Sequence, residues 1–231
     1  MQPTKPTPNA KKPTPAELDF LYVVIEKVGV FRQAFDQPCP REWNNCSPTA
    51  MNMQAGLIRE EFDEFLSAKT RVDKLDALCD LAYVIAGGFI ACGYRGRELE
   101  NCNNVFEHPF IKIIPAAAKR LTDAECPGGC LRDVGSALFT VARTGRRLFG
   151  AGNFTNAFLA VHDNNMGKLW TAEQWLRGFD AREMVQKVVT MDHGASADRY
   201  LVKRKSDGKV IKPSDFVKVE LTRFAEGICD D

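Results

Sequence analysis

The chain has 231 residues, of which 45% are hydrophobic and 26% are charged, and its formal net charge is +1. This composition is typical of a globular protein with one core, or a core with a substantial insertion. The near-neutral charge gives no electrostatic basis for binding a nucleic-acid polymer. No apolar run approaches the roughly 20 residues that span a membrane, and no signal-peptide pattern is visible. A cytoplasmic protein is therefore expected.

The chain begins with a polar segment and then a helix. Residues 1–14 are rich in proline, threonine and lysine, a composition that predicts a disordered tail. Thr14, Pro15 and Glu17 match the pattern of a capping box with proline at the first helical position. They predict a helix that runs to about Phe35.

Two further helices are predicted before residue 95. Ser47 or Thr49 would cap the first, which ends near Lys69. Asp73 opens the second and Gly93 closes it, because glycine accepts the left-handed conformation that ends many helices.

The rest of the chain is predicted to be mostly helical. Residues from about 95 to 152 are read as an inserted helical hairpin, with helices at about 111–121 and 131–149. Helices at 154–169 and 172–189 should follow. The segment 199–213 alternates in polarity and turns at Ser-Asp-Gly, a pattern that predicts a small β-hairpin.

Five carboxylates lie on the two helices between residues 57 and 88. They are Glu60, Glu61 and Glu64 on the first helix, and Asp76 and Asp80 on the second. Spacings of three and four residues put each set on one helical face, among apolar neighbours. Like charges so spaced destabilise a helix, and hard oxygen ligands suit Mg²⁺ or Mn²⁺. A metal site is favoured over a solvated acidic face.

These two helices also resemble a known family. EEFDE has the form E-E-x-x-E, and DALCDLAYVIAG is similar to the D-A-L-x-D-L-x-Y-V-x-x-G stretch of the MazG-like, all-α nucleotide pyrophosphohydrolases. VGVFRQAFDQP, NNMGKL and DGKVIKP resemble the phage-type, phosphoribosyl-ATP-pyrophosphohydrolase-like branch. Many relatives have glutamate where this chain has Ala77, and Asp76 is the available substitute.

The resemblance and the helical pattern together predict the architecture. The fold class is all-α: an antiparallel four-helix-type bundle with an inserted helical hairpin and a small C-terminal β-hairpin. Residues 15–231 would form a single catalytic domain with its insertion at about 95–152. The resemblance also implies a homodimer or homotetramer.

The activity that the resemblance implies is metal-dependent hydrolysis of a nucleoside triphosphate to the monophosphate and pyrophosphate, with Mg²⁺ or Mn²⁺ as cofactor. Glu61, Glu64 and Asp80 are expected to ligate metal. Glu60 and Asp76 would complete a second ion or act as the base for the attacking water. The expected substrate-binding residues are Asn165, Lys168 and Lys212.

The substrate is left open by the sequence. A deoxynucleotide such as dGTP is favoured because phage-type relatives use such substrates, with dUTP, dCTP and phosphoribosyl-ATP as alternatives. Stacking on the base could come from Phe31, Phe35, Trp43 or Trp170. A competing interpretation is a non-catalytic helical regulator whose acidic helices bind a basic partner.

The cysteines and histidines are predicted to have no catalytic role. The eight cysteines are expected to be free thiols, since no export signal accompanies them. A zinc site formed by Cys102, His108, Cys126 and Cys130 is the alternative, but the spacings are not those of known zinc motifs. All three histidines, His108, His162 and His193, are predicted to be structural or exposed.

Overall fold

Helices dominate the fold, with one small sheet near the C-terminal end. The computed structural model describes residues 13–41, 47–100, 109–123, 127–178, 183–192 and 195–226. Its elements in chain order are α1 (Pro15–Ala34), α2 (Pro48–Ser67), α3 (Arg71–Ala91), α4 (Gly96–Glu100), α5 (Phe110–Thr122), α6 (Pro127–Phe149), α7 (Ala151–Met166), α8 (Ala172–Gly178), β1 (Glu183–Asp192), β2 (Ala195–Arg204) and α9 (Thr222–Glu226). The predicted all-α class with a small β-hairpin is confirmed.

The helix starts follow from their capping residues. The Thr14 hydroxyl accepts a hydrogen bond from the Glu17 backbone N–H, and the Glu17 carboxylate accepts one from the Thr14 N–H at 2.7 Å, which confirms the predicted capping box. Ser47 caps α2. Thr70 caps α3 in a second capping box with Asp73, so this helix starts slightly before the predicted position.

Helix α3 lies at the centre of the protein, in contact with α1, α2, α6 and α7. Its residues from Leu81 to Ala91 are all uncharged, and Leu75, Leu81, Ile85 and Phe89 are fully buried. A helix that is apolar all round is stable only when others enclose it. The position of α3 is therefore set by its own sequence.

The helices of the segment 95–152 form part of the same core. Helix α5 packs against α2 and α6, and α6 packs against α3. Ile114, Ala118 and Leu138 are fully buried in the main apolar cluster. Loss of these helices would therefore expose apolar surface of α2 and α3.

The segment 172–189 corrects one prediction. The helix ends at Gly178, and residues 183–192 form β1, which pairs antiparallel with β2. Its run of β-branched residues favours a strand, and Val188 packs against a second apolar cluster that contains Leu201. This tertiary contact outweighs the helical spacing of the segment.

The predicted hairpin at 199–213 forms only in part. A turn is present, since the Gly208 N–H donates to the Arg204 carbonyl at 2.8 Å and Gly208 has φ 70°. Lys203 and Val210 form a single antiparallel bridge there. The ten-residue pairing lies one strand earlier, between β1 and β2.

Several expectations concern residues outside the described ranges. These are the tail up to residue 12, Trp43, His193 and three members of the zinc alternative, namely Cys102, His108 and Cys126. The described thiols Cys39 and Cys79 are free, as expected. Within the described ranges, no helix is both long and apolar enough to cross a bilayer.

Candidate active site

Two adjacent helices position the acidic side chains. Helix α2 contributes Glu60, Glu61 and Glu64, and α3 contributes Asp76 and Asp80; the two helices pack directly against each other. Glu61, Asp76 and Asp80 are partly buried, whereas Glu60 and Glu64 are exposed. The acids thus lie along the edge of the α2–α3 interface.

Glu61 is the most perturbed of these acids. Burial, followed by the negative charges of Asp80 and Glu64, raises the pKa of Glu61 to about 8. Its Oε2 atom is buried and has no hydrogen-bond partner among the described residues. A buried carboxylate oxygen without a donor is costly unless a proton or a cation occupies the site.

Asp80 is perturbed in the same direction but less strongly. Burial and the charge of Asp76 raise the pKa of Asp80 to about 6, while the cations Lys168 and Lys218 oppose the increase. The acidic helices and the C-terminal half of the chain therefore meet at Asp80.

The donor set can be tested against a metal ion. As the side chains stand, the described residues contain no group of three or more histidine, cysteine or acidic side chains arranged to hold one. The candidates are nevertheless all carboxylates, the donors that hard divalent cations prefer. The unpartnered oxygen of Glu61 is available to a cation. The residues fit a divalent ion in chemistry, and the side chains would have to rotate towards each other to bind it.

Lys168 is the cation that lowers the pKa of Asp80 most. It follows the C-terminal end of α7 and donates a hydrogen bond to Asn165 Oδ1. Burial and the nearby Lys212 lower the pKa of Lys168, while Asp80 and Glu61 act in the opposite direction. Two of the three predicted substrate-binding residues are thus joined to each other beside the acids.

Lys212, the third predicted substrate-binding residue, is exposed. Its ammonium group lies 4.8 Å from the centroid of the Phe216 ring, in a cation–π contact. Its charge acts on Lys168, so the two cations are neighbours. Lys212 can therefore add positive charge near Lys168 without being buried itself.

Lys218 was not identified from the sequence. Its ammonium group donates to Asp76 Oδ2 at 2.6 Å, across 142 residues of chain. This hydrogen bond raises the pKa of Lys218. Nothing in the surrounding VKVE segment indicates a role, because the contact depends on how the C-terminal segment folds back over α3.

Tyr83 and His162 were also missed as site residues. The Tyr83 hydroxyl lies 3.1 Å from His162 Nδ1. The Asn165 side chain lies close enough to the Tyr83 hydroxyl to act on it, in the direction that lowers the pKa of Tyr83. The signal for Tyr83 was present in the sequence, since it follows Asp80 by three residues and so lies on a neighbouring part of the same helical face. His162 is buried, consistent with the predicted structural role.

The aromatic candidates for base stacking are mostly occupied. Phe31 and Phe35 stack on each other with ring centroids 4.1 Å apart. Phe35 and Trp170 are buried, and the Trp170 indole N–H donates to the Ile211 carbonyl at 2.7 Å. Phe35 and Trp170 therefore stabilise the fold and offer no free face to a base.

A family model matches the part of the chain that contains the acidic helices. Residues 28–100 match the family model described as phosphoribosyl-ATP pyrophosphohydrolase. No curated protein and no solved structure matches the chain. The matched range includes α2 and α3 in full and therefore all five carboxylates. The match confirms the resemblance for this part of the chain and supports a nucleotide pyrophosphohydrolase activity in general terms.

Proposed function

We propose that the protein is a divalent-metal-dependent enzyme that hydrolyses a nucleoside or deoxynucleoside triphosphate between the α- and β-phosphates. The products would be the monophosphate and pyrophosphate. The main observation in support is the row of five carboxylates on α2 and α3 with the buried, unpartnered oxygen of Glu61 among them. This row lies inside the range that matches the pyrophosphohydrolase family model.

The carboxylates are proposed to hold Mg²⁺ or Mn²⁺. Glu61, Glu64 and Asp80 would be the direct ligands, and Glu60 and Asp76 would complete a second ion or accept the proton of the attacking water. When bound, such an ion neutralises charge on the phosphates and lowers the pKa of a coordinated water. The raised pKa values of Glu61 and Asp80 support this assignment, because a nearby cation would offset the repulsion that raises them.

The lysines are proposed to bind the phosphates. Lys168 lies on the acidic edge and Lys212 is its neighbour. A row of carboxylates repels a polyphosphate, so cations opposite the acids are needed to orient it for in-line attack. Asn165 would act by holding Lys168, whose ammonium group it already contacts. Lys218 adds further positive charge beside Asp76.

The nucleobase is proposed from the resemblance and the family match. A deoxynucleotide such as dGTP is favoured by the phage-type resemblance, with dUTP and dCTP next. Phosphoribosyl-ATP is a second candidate, because the matching family model bears that name. A cytoplasmic homodimer or homotetramer remains the proposed form of the enzyme.

An assay of the purified protein tests the proposal. The protein would be incubated with Mg²⁺ or Mn²⁺ and a panel of deoxynucleoside triphosphates, ribonucleoside triphosphates and phosphoribosyl-ATP, and both products would be quantified. We expect equal amounts of monophosphate and pyrophosphate from at least one substrate. Release of inorganic phosphate alone, or no turnover across the panel, would contradict the proposal.

Two matched variants connect activity to the acids. Glu61→Gln keeps the size of the side chain but removes its charge, and we expect activity to fall by about a hundredfold or more. Asp63→Asn makes the same change at an exposed carboxylate of α2 and should leave activity near that of the wild type. A non-catalytic regulator would show no turnover with either metal, and Glu61→Gln would leave its binding to a basic partner largely intact.

A further inference from the structure

We propose that Tyr83 and His162 are positioning residues that hold the Lys168 ammonium group against the acidic edge through Asn165. Two hydrogen bonds, His162–Tyr83 between α7 and α3 and Asn165–Lys168, meet where the Asn165 side chain adjoins the Tyr83 hydroxyl. These four side chains are called the positioning chain. The phosphate-binding role of Lys168 rests on the proposed function. The placement of Lys168 does not, and it can be measured separately.

The direction of each hydrogen bond follows from the chemistry of the groups. A lysine ammonium can only donate, so Asn165 presents its Oδ1 atom to Lys168. This leaves the Asn165 amide N–H group for the neighbouring phenol oxygen of Tyr83, and Asn165 lowers the pKa of Tyr83, as a donor does. The phenol proton is left to donate to His162 Nδ1, 3.1 Å away. Lys168, Asn165 and Tyr83 are thus each placed to donate towards His162.

The terminal acceptor is a neutral imidazole. Burial, and then the positive charge of Lys27, lower the pKa of His162 to about 4. At neutral pH the ring is uncharged, and an unprotonated Nδ1 can accept the Tyr83 proton. His162 therefore acts as an acceptor at the end of the chain and adds no second positive charge beside Lys168.

Burial restricts the Tyr83 and His162 side chains to one arrangement. Tyr83 is 7% exposed and His162 is 4% exposed. The Tyr83 ring is fixed by an edge contact with Phe31 and by the Phe158 ring, with centroids 5.2 and 5.8 Å away. A buried polar group without its partner costs more than the hydrogen bond gains. The rotamer of Asn165, and with it the position of Lys168, is consequently set from the protein interior.

The chain ends at the acidic site. Burial and the charge of Asp80 raise the pKa of Tyr83, so the phenol and this carboxylate are neighbours on α3. At the other end, Lys168 interacts with the charges of Asp80 and Glu61. The positioning chain therefore links α3 and α7 on the side of the bundle where the phosphates are proposed to bind.

A double-mutant cycle distinguishes positioning from a structural role. Tyr83→Phe keeps the ring packing and removes only the hydroxyl, and we expect KM for the triphosphate to rise about two- to tenfold, with a smaller change in kcat. Lys168→Met should raise KM about tenfold or more, since a hydrogen bond to a charged group is lost. In the Lys168→Met background, Tyr83→Phe should change KM less than twofold, because its effect is transmitted through Lys168. An equal rise in both backgrounds would overturn the inference.

Phe158→Leu is the matched control. It removes packing from the Tyr83 ring without touching a polar atom of the chain. We expect lower stability in urea with KM unchanged. A rise in KM equal to that of Tyr83→Phe would show that loss of packing alone explains the effect, and would also overturn the inference.

His162 is tested by a near-isosteric pair. His162→Asn leaves an oxygen close to the place of Nδ1, whereas His162→Leu leaves no acceptor. We expect KM of the leucine variant to exceed that of the asparagine variant, with both destabilised to a similar degree. Equal KM values in two folded variants would exclude a role for the acceptor.

A nuclear magnetic resonance measurement on the metal-free, substrate-free protein separates this inference from the proposed function. The side-chain ¹⁵N and ¹³Cε signals of Lys168 should shift in Tyr83→Phe and remain in place in Phe158→Leu. If the wild type hydrolyses no nucleotide but the Lys168 signals respond, the function fails and the positioning chain stands. If the wild type is active but neither KM nor the Lys168 signals respond, the positioning chain fails and the function stands.

Discussion

Two regions contribute side chains to the site: the acidic helices α2 and α3, and the C-terminal segment from β1 to α9. They differ in how their side chains are positioned. In α2 and α3, helical spacing puts the carboxylates of each helix on one face, and the capping residues of both helices are visible in the sequence. In the C-terminal segment, Lys218 reaches Asp76 only after a strand pair and a turn bring the chain back over α3. The acids are thus placed by local structure and this cation by tertiary structure.

The largest expected effect is a loss of activity when an acid of α3 is changed. Asp80→Asn should lower pyrophosphate release by about a hundred- to a thousandfold, because it removes a partly buried charge at the point where both halves meet. Steady-state assays with Mg²⁺ and with Mn²⁺ measure this. Asp63→Asn serves as the control on α2, and a variant at Asp80 that retains more than a tenth of wild-type activity would remove this residue from the proposed ligand set.

The sequence predicted all five acids of this half, whereas in the C-terminal segment it predicted Lys212 but not Lys218. The period of α2 and α3 and the Thr14–Glu17 capping box depend on residues within one or two turns of each other, and each was read correctly. The strand β1 was read as a helix because its spacing fits both structures, and only the pairing with β2 decides between them. Lys218 and the Tyr83–His162 contact join residues 142 and 79 positions apart, and no local pattern specifies such contacts.

The second prediction uses the repulsion among the acids. The pKa of Glu61 is about 8 in the folded protein against an ordinary value of 4.5, so the folded state binds the proton more tightly than the unfolded state. The associated stability is fully present below pH 4.5 and is lost as the pH rises through 8. Its upper limit is about 5 kcal/mol, and partial exposure to solvent makes it smaller.

Urea unfolding of the metal-free protein between pH 5 and pH 9 measures this loss. Glu61→Gln should flatten the pH dependence, and millimolar Mg²⁺ should restore stability at pH 8 by binding the folded state. If metal-free stability does not fall with pH, or if Mg²⁺ stabilises Glu61→Gln as much as the wild type, the acids do not act as one site.

A smaller effect on stability and KM is expected for Lys218, which is positioned by tertiary structure. Lys218 has a side chain 72% exposed, and its ion pair with Asp76 is therefore screened by water. Lys218→Gln should cost less than about 1 kcal/mol of stability and raise KM only a few-fold. Lys209→Gln, an exposed lysine on the adjacent turn, is the control. A loss of activity as large as that of Asp80→Asn would mean that Lys218 binds the reacting phosphates directly.

The smallest expected effects are changes in stability when one glycine in each region is replaced by alanine. Gly56 lies within α2 and Gly208 lies in the turn after β2 at φ 70°, and an added Cβ would meet nothing within 4 Å at either position. Gly56→Ala should stabilise the protein by roughly 0.5–1 kcal/mol, because alanine loses less backbone entropy in a helix. Gly208→Ala should destabilise it by about 1 kcal/mol, since a side chain disfavours that φ.

The opposite signs follow from backbone conformation alone, because neither substitution creates a steric contact. Urea unfolding at pH 7 resolves differences of this size. Gly208→Asn should recover part of the loss, since asparagine tolerates a positive φ better than alanine does. Two changes of the same sign would mean that Gly208 does not adopt the positive φ of this turn. The turn leads the chain towards Lys212 and Lys218. Without it, the proposed position of these two lysines beside the acids would have no structural basis.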